Sequence, residues 1–288
     1  MLTFPDFVRR LGLALAALIV GLGLWAFWLE PASLRVNTYE LPLRDAAAPL
    51  AGLRIAALSD LHAGAPFIDA AKLRRVAALT NAARPDLIVI AGDIFAQKVP
   101  GGVTIAPQVV ADALAGLSAP LGVYAVLGNH DEGDLADLYR SELRRVGITP
   151  LDNDVRRIAV GDRHFWLAGF ADLETGGPLI AATLAKVSDD APVIALTHNP
   201  ELFPAVPARI NLLIAGHTHG GQVRLSIFSR ALLRNIRDRK DDMPYLRGHY
   251  REQTDLFVTT GIGTSDFPVR FRVPPEISLL LLRQDETP

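Results

Sequence analysis

The sequence predicts an α/β fold: two sheets packed face to face with helices outside, preceded by one transmembrane helix. Three observations predict it. Residues 11–29 run nineteen positions without a charge. From about residue 53 to residue 146, short apolar runs alternate with amphipathic stretches, the pattern of β-α-β units. The second half of the chain is richer in strands than in helices, so a second sheet is needed to take them.

The apolar run, at about 1.5 Å per helical residue, nearly spans a hydrocarbon core of roughly 30 Å. It ends in Trp25 and Trp28, residues suited to a water–lipid interface. A cleaved signal peptide would have a shorter apolar region and a small-residue cleavage site. The bulky run from Trp25 to Pro31 stands there instead, so residues 1–30 read as a retained anchor. Arg9-Arg10 resembles a twin-arginine export signal but lacks the usual phenylalanine after it. Arg9, Arg10 and the amino terminus stand against Arg35 and Arg44, a slight lean toward a cytoplasmic N-terminus and an extracytoplasmic domain.

Residues 31–50 read as a connector, in which Leu34, Val36, Tyr39 and Leu41 form a broken alternation compatible with an edge strand. Residues 51–288 form the large domain. Strands are predicted at 54–59, 87–91 and 123–127, with helices at 69–83, 106–117 and 134–146. In the first of these helices Leu73, Val76, Ala77 and Thr80 share a face, while Lys72, Arg74, Arg75 and Asn81 point outward. Further strands fall at 165–170, 193–197, 212–215, 222–225, 256–260 and 277–282, with one helix near 178–187. Residues 229–243, with Arg230, Arg234, Arg237, Arg239 and Lys240, read as a basic solvated loop.

Composition sets limits. The 288 residues are 50% hydrophobic, ample for a core. A net charge of −2 argues against a duplex nucleic-acid partner, which needs a dense positive surface. There is no cysteine, so no disulfide holds the fold and any metal must take nitrogen and oxygen ligands.

The polar residues collect at strand ends. Asp60 and His62 follow the first strand, Asp93 the second, and Asn129, His130 and Asp131 the third; His198 and then His217 and His219 follow strands of the second half. Ligands gather at such C-terminal strand ends in open α/β folds. In Asp60-Leu61-His62 and His217-Thr218-His219 the polar residues are two apart, which on an extended chain sends both to one side. Gly92, Gly128 and Gly216 permit sharp turns there. Five of the seven histidines lie in these motifs, whereas His164 and His249 read as ordinary structural histidines.

Asp60-x-His62, Gly92-Asp93, Gly128-Asn129-His130-Asp131, His198 and Gly216-His217-Thr218-His219 resemble, in order and spacing, the signature of calcineurin-like metallophosphoesterases. The resemblance covers about residues 53–282 and implies a two-sheet metallophosphoesterase sandwich flanked by helices. The run 216–222 and the ending Pro274-Pro275-Glu276-Ile277 look like its bacterial branch with an N-terminal membrane segment. It implies two divalent metal ions, one held by Asp60, His62, Asp93 and His219. The other would take Asp93, Asn129, His198 and His217, with Asp93 bridging through its two oxygens. Mixed imidazole, carboxylate and amide ligands favour manganese, iron or zinc. Two ions in one site stabilise both the attacking and the leaving oxygen of an in-line phosphoryl displacement. The resemblance makes His130 the proton donor to the leaving group, or a stabiliser of the phosphate, with Asp131 orienting it.

The family's protein phosphatases carry an arginine soon after the bridging aspartate. Here Gly92-Asp93 is followed by Ile94, Phe95, Ala96, Gln97 and Lys98, which argues against that class. The anchor favours a lipid-linked phosphodiester or pyrophosphate at the membrane, such as UDP-2,3-diacylglucosamine of lipid A synthesis. That compound is made on the cytoplasmic face, against the charge lean. The alternatives are an exported, broad-specificity phosphodiesterase and a non-catalytic, metal-containing membrane binding protein. Arg270 and Arg272, two apart, would place both guanidiniums on one side to grip phosphate, with Arg247 and the run near Arg237 adding to that face. Otherwise the pair forms salt bridges along an edge strand.

Overall fold

The computed structural model describes residues 4–43, 50–95, 99–224, 244–265 and 267–285. Its first sheet contains β1 (Arg35–Leu43), β2 (Arg54–Leu58), β3 (Leu87–Ala91), β4 (Val123–Val126), β5 (Ile148–Pro150) and β12 (Glu276–Gln284), ordered β1-β12-β2-β3-β4-β5. The second contains β6 (Asp154–Val160), β7 (Arg163–Gly169), β8 (Val193–Leu196), β9 (Leu212–Ala215), β10 (Gly248–Arg251) and β11 (Asp255–Val258), ordered β10-β11-β9-β8-β7-β6. β2, β3, β4 and β5 run parallel, as do β7, β8, β9 and β11.

Strand parity explains why the central strands read as unbroken apolar runs. Ile55 and Ala57 of β2 face the inter-sheet core with Leu87, Val89, Ile194, Leu196, Leu212 and Ile214. Their neighbours Ala56, Leu58, Ile88 and Ile90 face the helices instead. Both faces of the first sheet are covered, so both parities must be apolar. Its outer layer is α3 (Ala70–Ala82), α4 (Pro107–Leu114) and α5 (Ala136–Arg145), which supply Leu73, Val76, Val110, Leu114, Tyr139 and Leu143. α3 begins where the Asp69 carboxylate accepts the Lys72 N–H at 2.7 Å, and α4 where Pro107 fixes the first turn. On the second sheet's far side Trp166, Phe203, Leu213 and Leu256 form a third cluster.

Within residues 31–50, the alternation of Leu34, Val36, Tyr39 and Leu41 leads into a full edge strand, β1, which pairs with β12 over nine residues. Several expectations need correction. Residues 222–224 are not a strand: Gln222 turns with φ 47°, and Val223 makes only an isolated bridge to Phe271. The helix near 178–187 is reduced to α6 (Ile180–Leu184). Lys72 does not point to solvent; it is buried, and its ammonium donates to the Ala32 and Ser33 carbonyls at 2.6 and 2.8 Å. The basic loop, with Arg237, lies outside the described residues.

At the N-terminus α1 (Phe4–Leu24) continues through a widened π turn (Trp25–Leu29) into α2 (Glu30–Ala32). The combined helix Phe4–Ala32 has a mean hydropathy of 2.1 in its most apolar stretch and is long and apolar enough to cross a membrane. Only Ala26, Glu30 and Pro31, at its end, are buried against the rest of the chain.

Candidate metal centre

The C-terminal ends of β2, β3 and β4 in one sheet and β8 and β9 in the other converge on a single rim. Asp60, His62, Asp93, His198 and His219 are essentially inaccessible there, and His217 nearly so. Asn129 and His130 are half-buried at the opening.

The backbone reaches this arrangement by an unexpected route. Asp60, His62, Asp93, His217 and His219 all have positive φ, between 45° and 69°. The two-apart pairs are therefore not extended: each ligand sits in its own left-handed turn. Aspartate and histidine tolerate that region better than bulkier residues, yet residues held in it cost about 1–3 kcal/mol each. Fixed contacts hold them. Asp60 N–H bonds to Gly92 O at 3.0 Å, His62 N–H to Asp93 O at 2.9 Å, and Gly216 N–H to His198 O at 3.0 Å, each tying one strand end to the next. Gly128 is required by space, since a Cβ there would lie 2.2 Å from Asp93 Oδ1.

The side chains form two groups that share Asp93. The donor atoms of Asp60, His62, Asp93 and His219 all lie within 4.8 Å of one another, and so do those of Asp93, His198 and His217. Asp93 Oδ2 is 3.4 Å from His62 Nε2 and 3.2 Å from His198 Nε2, so one oxygen faces both groups. The other oxygen, Oδ1, accepts the His130 N–H at 3.0 Å. His62 Nε2 and His219 Nε2 are 3.1 Å apart, and Asp60 Oδ1 is 3.4 Å from the latter. In the second group His198 Nε2 meets Asn129 Oδ1 and His217 Nδ1, each at 3.1 Å. Nitrogen and oxygen donors in two sets joined by one carboxylate fit two divalent cations.

The protein prepares these groups from behind. His198 Nδ1 faces Ala91 O at 2.8 Å and His219 Nδ1 faces Gly263 O at 3.3 Å, which keeps the proton on Nδ1 and leaves Nε2 as the donor atom. Burial, opposed by the His198 charge and reinforced by that of Asp93, pushes the Asp60 carboxyl up to about 6. Burial also works against the Asp93 charge, yet His198, His62 and His130 hold that carboxyl well below the usual range. Burial opposes a charge on His198, but Asp93 and then Asp60 lift it to about 10. The cluster is thus a set of buried anions that holds a proton on His198, and a cation can take that proton's place.

The remaining candidates divide. The His130 ring stands edge-on to His62, centroids 5.1 Å apart, at the half-open mouth. Asp131 does not orient it. Its buried carboxylate accepts the N–H groups of Ile94, Phe95 and Gly128 at 2.8–3.0 Å, stapling the Asp93 loop to the Asn129 loop. Arg270 is likewise no phosphate grip, being fully buried with its guanidinium bonded to the carbonyls of Thr260, Gly263 and Val273. Arg272 is exposed and has φ 61°, so the pair does not share a side. Arg247 is half-buried beside the site, 3.4 Å from Gly220 O. His164 pairs with Asp189 and His249 with Asp255, each at 2.8 Å, as structural histidines do. Sequence reasoning missed Glu174, whose carboxylate is 3.9 Å from His217 Nε2, and Glu30, a buried carboxylate at the end of the apolar helix.

Comparison with known proteins agrees with this geometry. The sequence profile described as "Calcineurin-like phosphoesterase" matches residues 53–221. The uncharacterized metallophosphoesterase YkuE of Bacillus subtilis (strain 168) is 30% identical over 278 residues, 94% of this chain and 93% of that protein. A Danio rerio "Transmembrane protein with metallophosphoesterase domain" is 31% identical over 87% of this chain, which spans only 57% of its length. The phosphodiesterase YaeI of Escherichia coli (strain K12) is 29% identical over 95% of this chain and 98% of its own. The profile match ends just past His219 and so spans every residue of both donor groups. On that correspondence, the chain belongs to the calcineurin-like phosphoesterase family, a metal-dependent phosphoester hydrolase working with two divalent ions.

Proposed function

We propose that this protein is a membrane-anchored phosphodiesterase whose site opens at the bilayer surface. Its substrate is a phosphodiester or pyrophosphate carried on a lipid, a class that includes UDP-2,3-diacylglucosamine. The observation that carries this reading is where the apolar helix ends. Trp28, in its last turns, packs edge-on against Phe67, centroids 5.5 Å apart, in the loop that leaves His62. An exposed Phe267 stands on the neighbouring loop. A helix that ends against the loops of the site rim brings that rim to the headgroups.

Within the site, Asp60, His62, Asp93 and His219 would hold one ion and Asp93, Asn129, His198 and His217 the other. Bound there, the ions supply the positive charge that activates water and offsets the charge growing on the phosphoryl oxygens. The chain's own residues do the rest. Asp93 is fixed through Oδ1 by the His130 amide, so its second oxygen keeps facing both groups. The His130 ring, at the mouth and outside both donor sets, gives its proton to the departing oxygen. Arg247 and the exposed Arg272 present positive charge at the surface for an anionic headgroup.

Vesicle assays test the lipid reading. Removing residues 1–24 spares the Trp25–Ala32 turns that contact the domain. Turnover of a vesicle-borne diester should then fall by about 10²-fold, as a lost effective concentration predicts, while a soluble nitrophenyl diester is turned over as before. Unchanged vesicle turnover would instead make the protein a broad phosphodiesterase of soluble substrates.

A further inference from the structure

The end of the apolar helix is built into the wall of the metal site. In its widened turn the Glu30 N–H reaches back five residues to Trp25 O, and Pro31 has no N–H to offer. The Ala26 carbonyl is left for an outside donor and takes the Arg270 N–H at 2.9 Å. Such π turns often mark functional positions. Glu30 makes the second attachment, although it is a buried carboxylate at the end of an apolar run. One of its oxygens accepts the Val273 N–H at 2.6 Å and the other the Trp25 indole N–H at 2.5 Å.

Arg270 stands between these attachments and the site. Among the described residues no carboxylate pairs with it directly. Its guanidinium donates to Thr260 O and Val273 O, each at 3.0 Å, and to Gly263 O through Nε at 3.1 Å and Nη2 at 2.5 Å. Burial lowers it to about 10, so it stays charged at neutral pH. A buried charge spent wholly on carbonyls is costly unless each bond is kept. The shared acceptor is the informative one: Gly263 O is also the partner of His219 Nδ1. The same loop grips the other end of that donor group, with Gly263 N–H on Asp60 O at 2.6 Å and Ile262 N–H on Ser59 O at 3.1 Å. The partner behind His198 is Ala91 O, remote from Arg270 in this network.

We infer that Arg270 is a positioning residue for His219, and that Glu30 and the widened turn hold Arg270 in place. The docking of the helix end thereby sets the metal affinity of the Asp60–His62–Asp93–His219 group. This rests on the reading of that group as a metal site. Fixing the Gly263 carbonyl fixes the ring orientation and tautomer of His219, and such supports are typically worth about 10–100-fold in metal affinity.

The test is a Co²⁺ titration of the metal-stripped full chain in detergent, followed by visible absorption, with thermal melting alongside. Arg270→Lys keeps the charge but cannot reach all three carbonyls. It should weaken one of the two binding steps by about 10–100-fold and leave the other nearly unchanged. Glu30→Gln touches no residue of either donor group and should weaken the same step, by a smaller factor. If Arg270→Lys fails to fold, Glu30→Gln decides alone. Two normal steps in both variants, or an equal loss in both steps that tracks the melting temperature, would overturn the positioning role. A wild-type chain that binds fewer than two ions contradicts the two-metal reading itself.

Discussion

His130 shows how two neighbouring residues divide the work of one loop. Asp131 is buried and spends both oxygens on three backbone amides, so it shapes the loop and faces no substrate. His130 uses its amide to hold Asp93 and leaves its ring at the mouth. His130→Asn keeps that amide, so metal content should match wild type. Turnover should fall by about 10²–10⁴, the range for a positioned acid, and by less for a nitrophenyl leaving group that needs little protonation. Metal analysis and rates on alkyl and nitrophenyl diesters check this. An equal loss on both would place His130 on the phosphate instead.

The β10–β11 hairpin closes the edge of the second sheet and is pinned by one carboxylate. Asp255 accepts from His249 and from Arg251, each at 2.8 Å, and Arg251 also bonds Asp285 at 2.6 Å. Burial opposes the Asp255 charge, but His249 and Arg251 hold its carboxyl below the ordinary value. The native state therefore binds this proton less readily than the unfolded chain. The resulting stability is present above the ordinary carboxylate range and is lost as the pH falls through the lowered value. Asp255→Asn should cost about 1.5–3 kcal/mol at neutral pH, as hydrogen bonds to a charged group do. The gap in melting temperature from wild type should close in acid. A gap that is constant with pH would contradict the assignment.

β10 was also the hardest strand to read. Gly248, His249, Tyr250 and Arg251 include no aliphatic residue, because an edge strand covered by solvent needs none. β6 hides for a different reason: its buried Val155 and Ile158 are separated by the exposed pair Arg156 and Arg157, which breaks the strict alternation. The central strands were legible since both of their faces are buried, and the metal residues because each follows such a strand. Other features were not legible because they depend on contacts distant in sequence. Nothing local shows that Arg270 turns inward while Arg272 turns out, or that Glu30 meets Val273 across 243 positions. The left-handed turns at Asp60, His62, Asp93, His217 and His219 were invisible for a related reason: the spacing that suits an extended chain also suits two tight turns.

In the whole molecule, two sheets form the frame, their facing strand ends form the metal centre, and the apolar helix ends against its rim. The frame tolerates five left-handed ligand residues because inter-strand hydrogen bonds and the Arg270 network fix their loops. Everything in this arrangement converges on Asp93, whose Oδ2 faces both donor groups. The most direct measurement is therefore the turnover of a soluble nitrophenyl diester as the metal-stripped full chain is titrated with Mn²⁺, run beside Asp93→Asn. Activity should rise to a break at two ions per chain, and the variant should neither retain two ions nor turn over substrate. Full activity at one ion, or an Asp93→Asn variant with two bound ions and normal turnover, would contradict a centre built on a shared carboxylate.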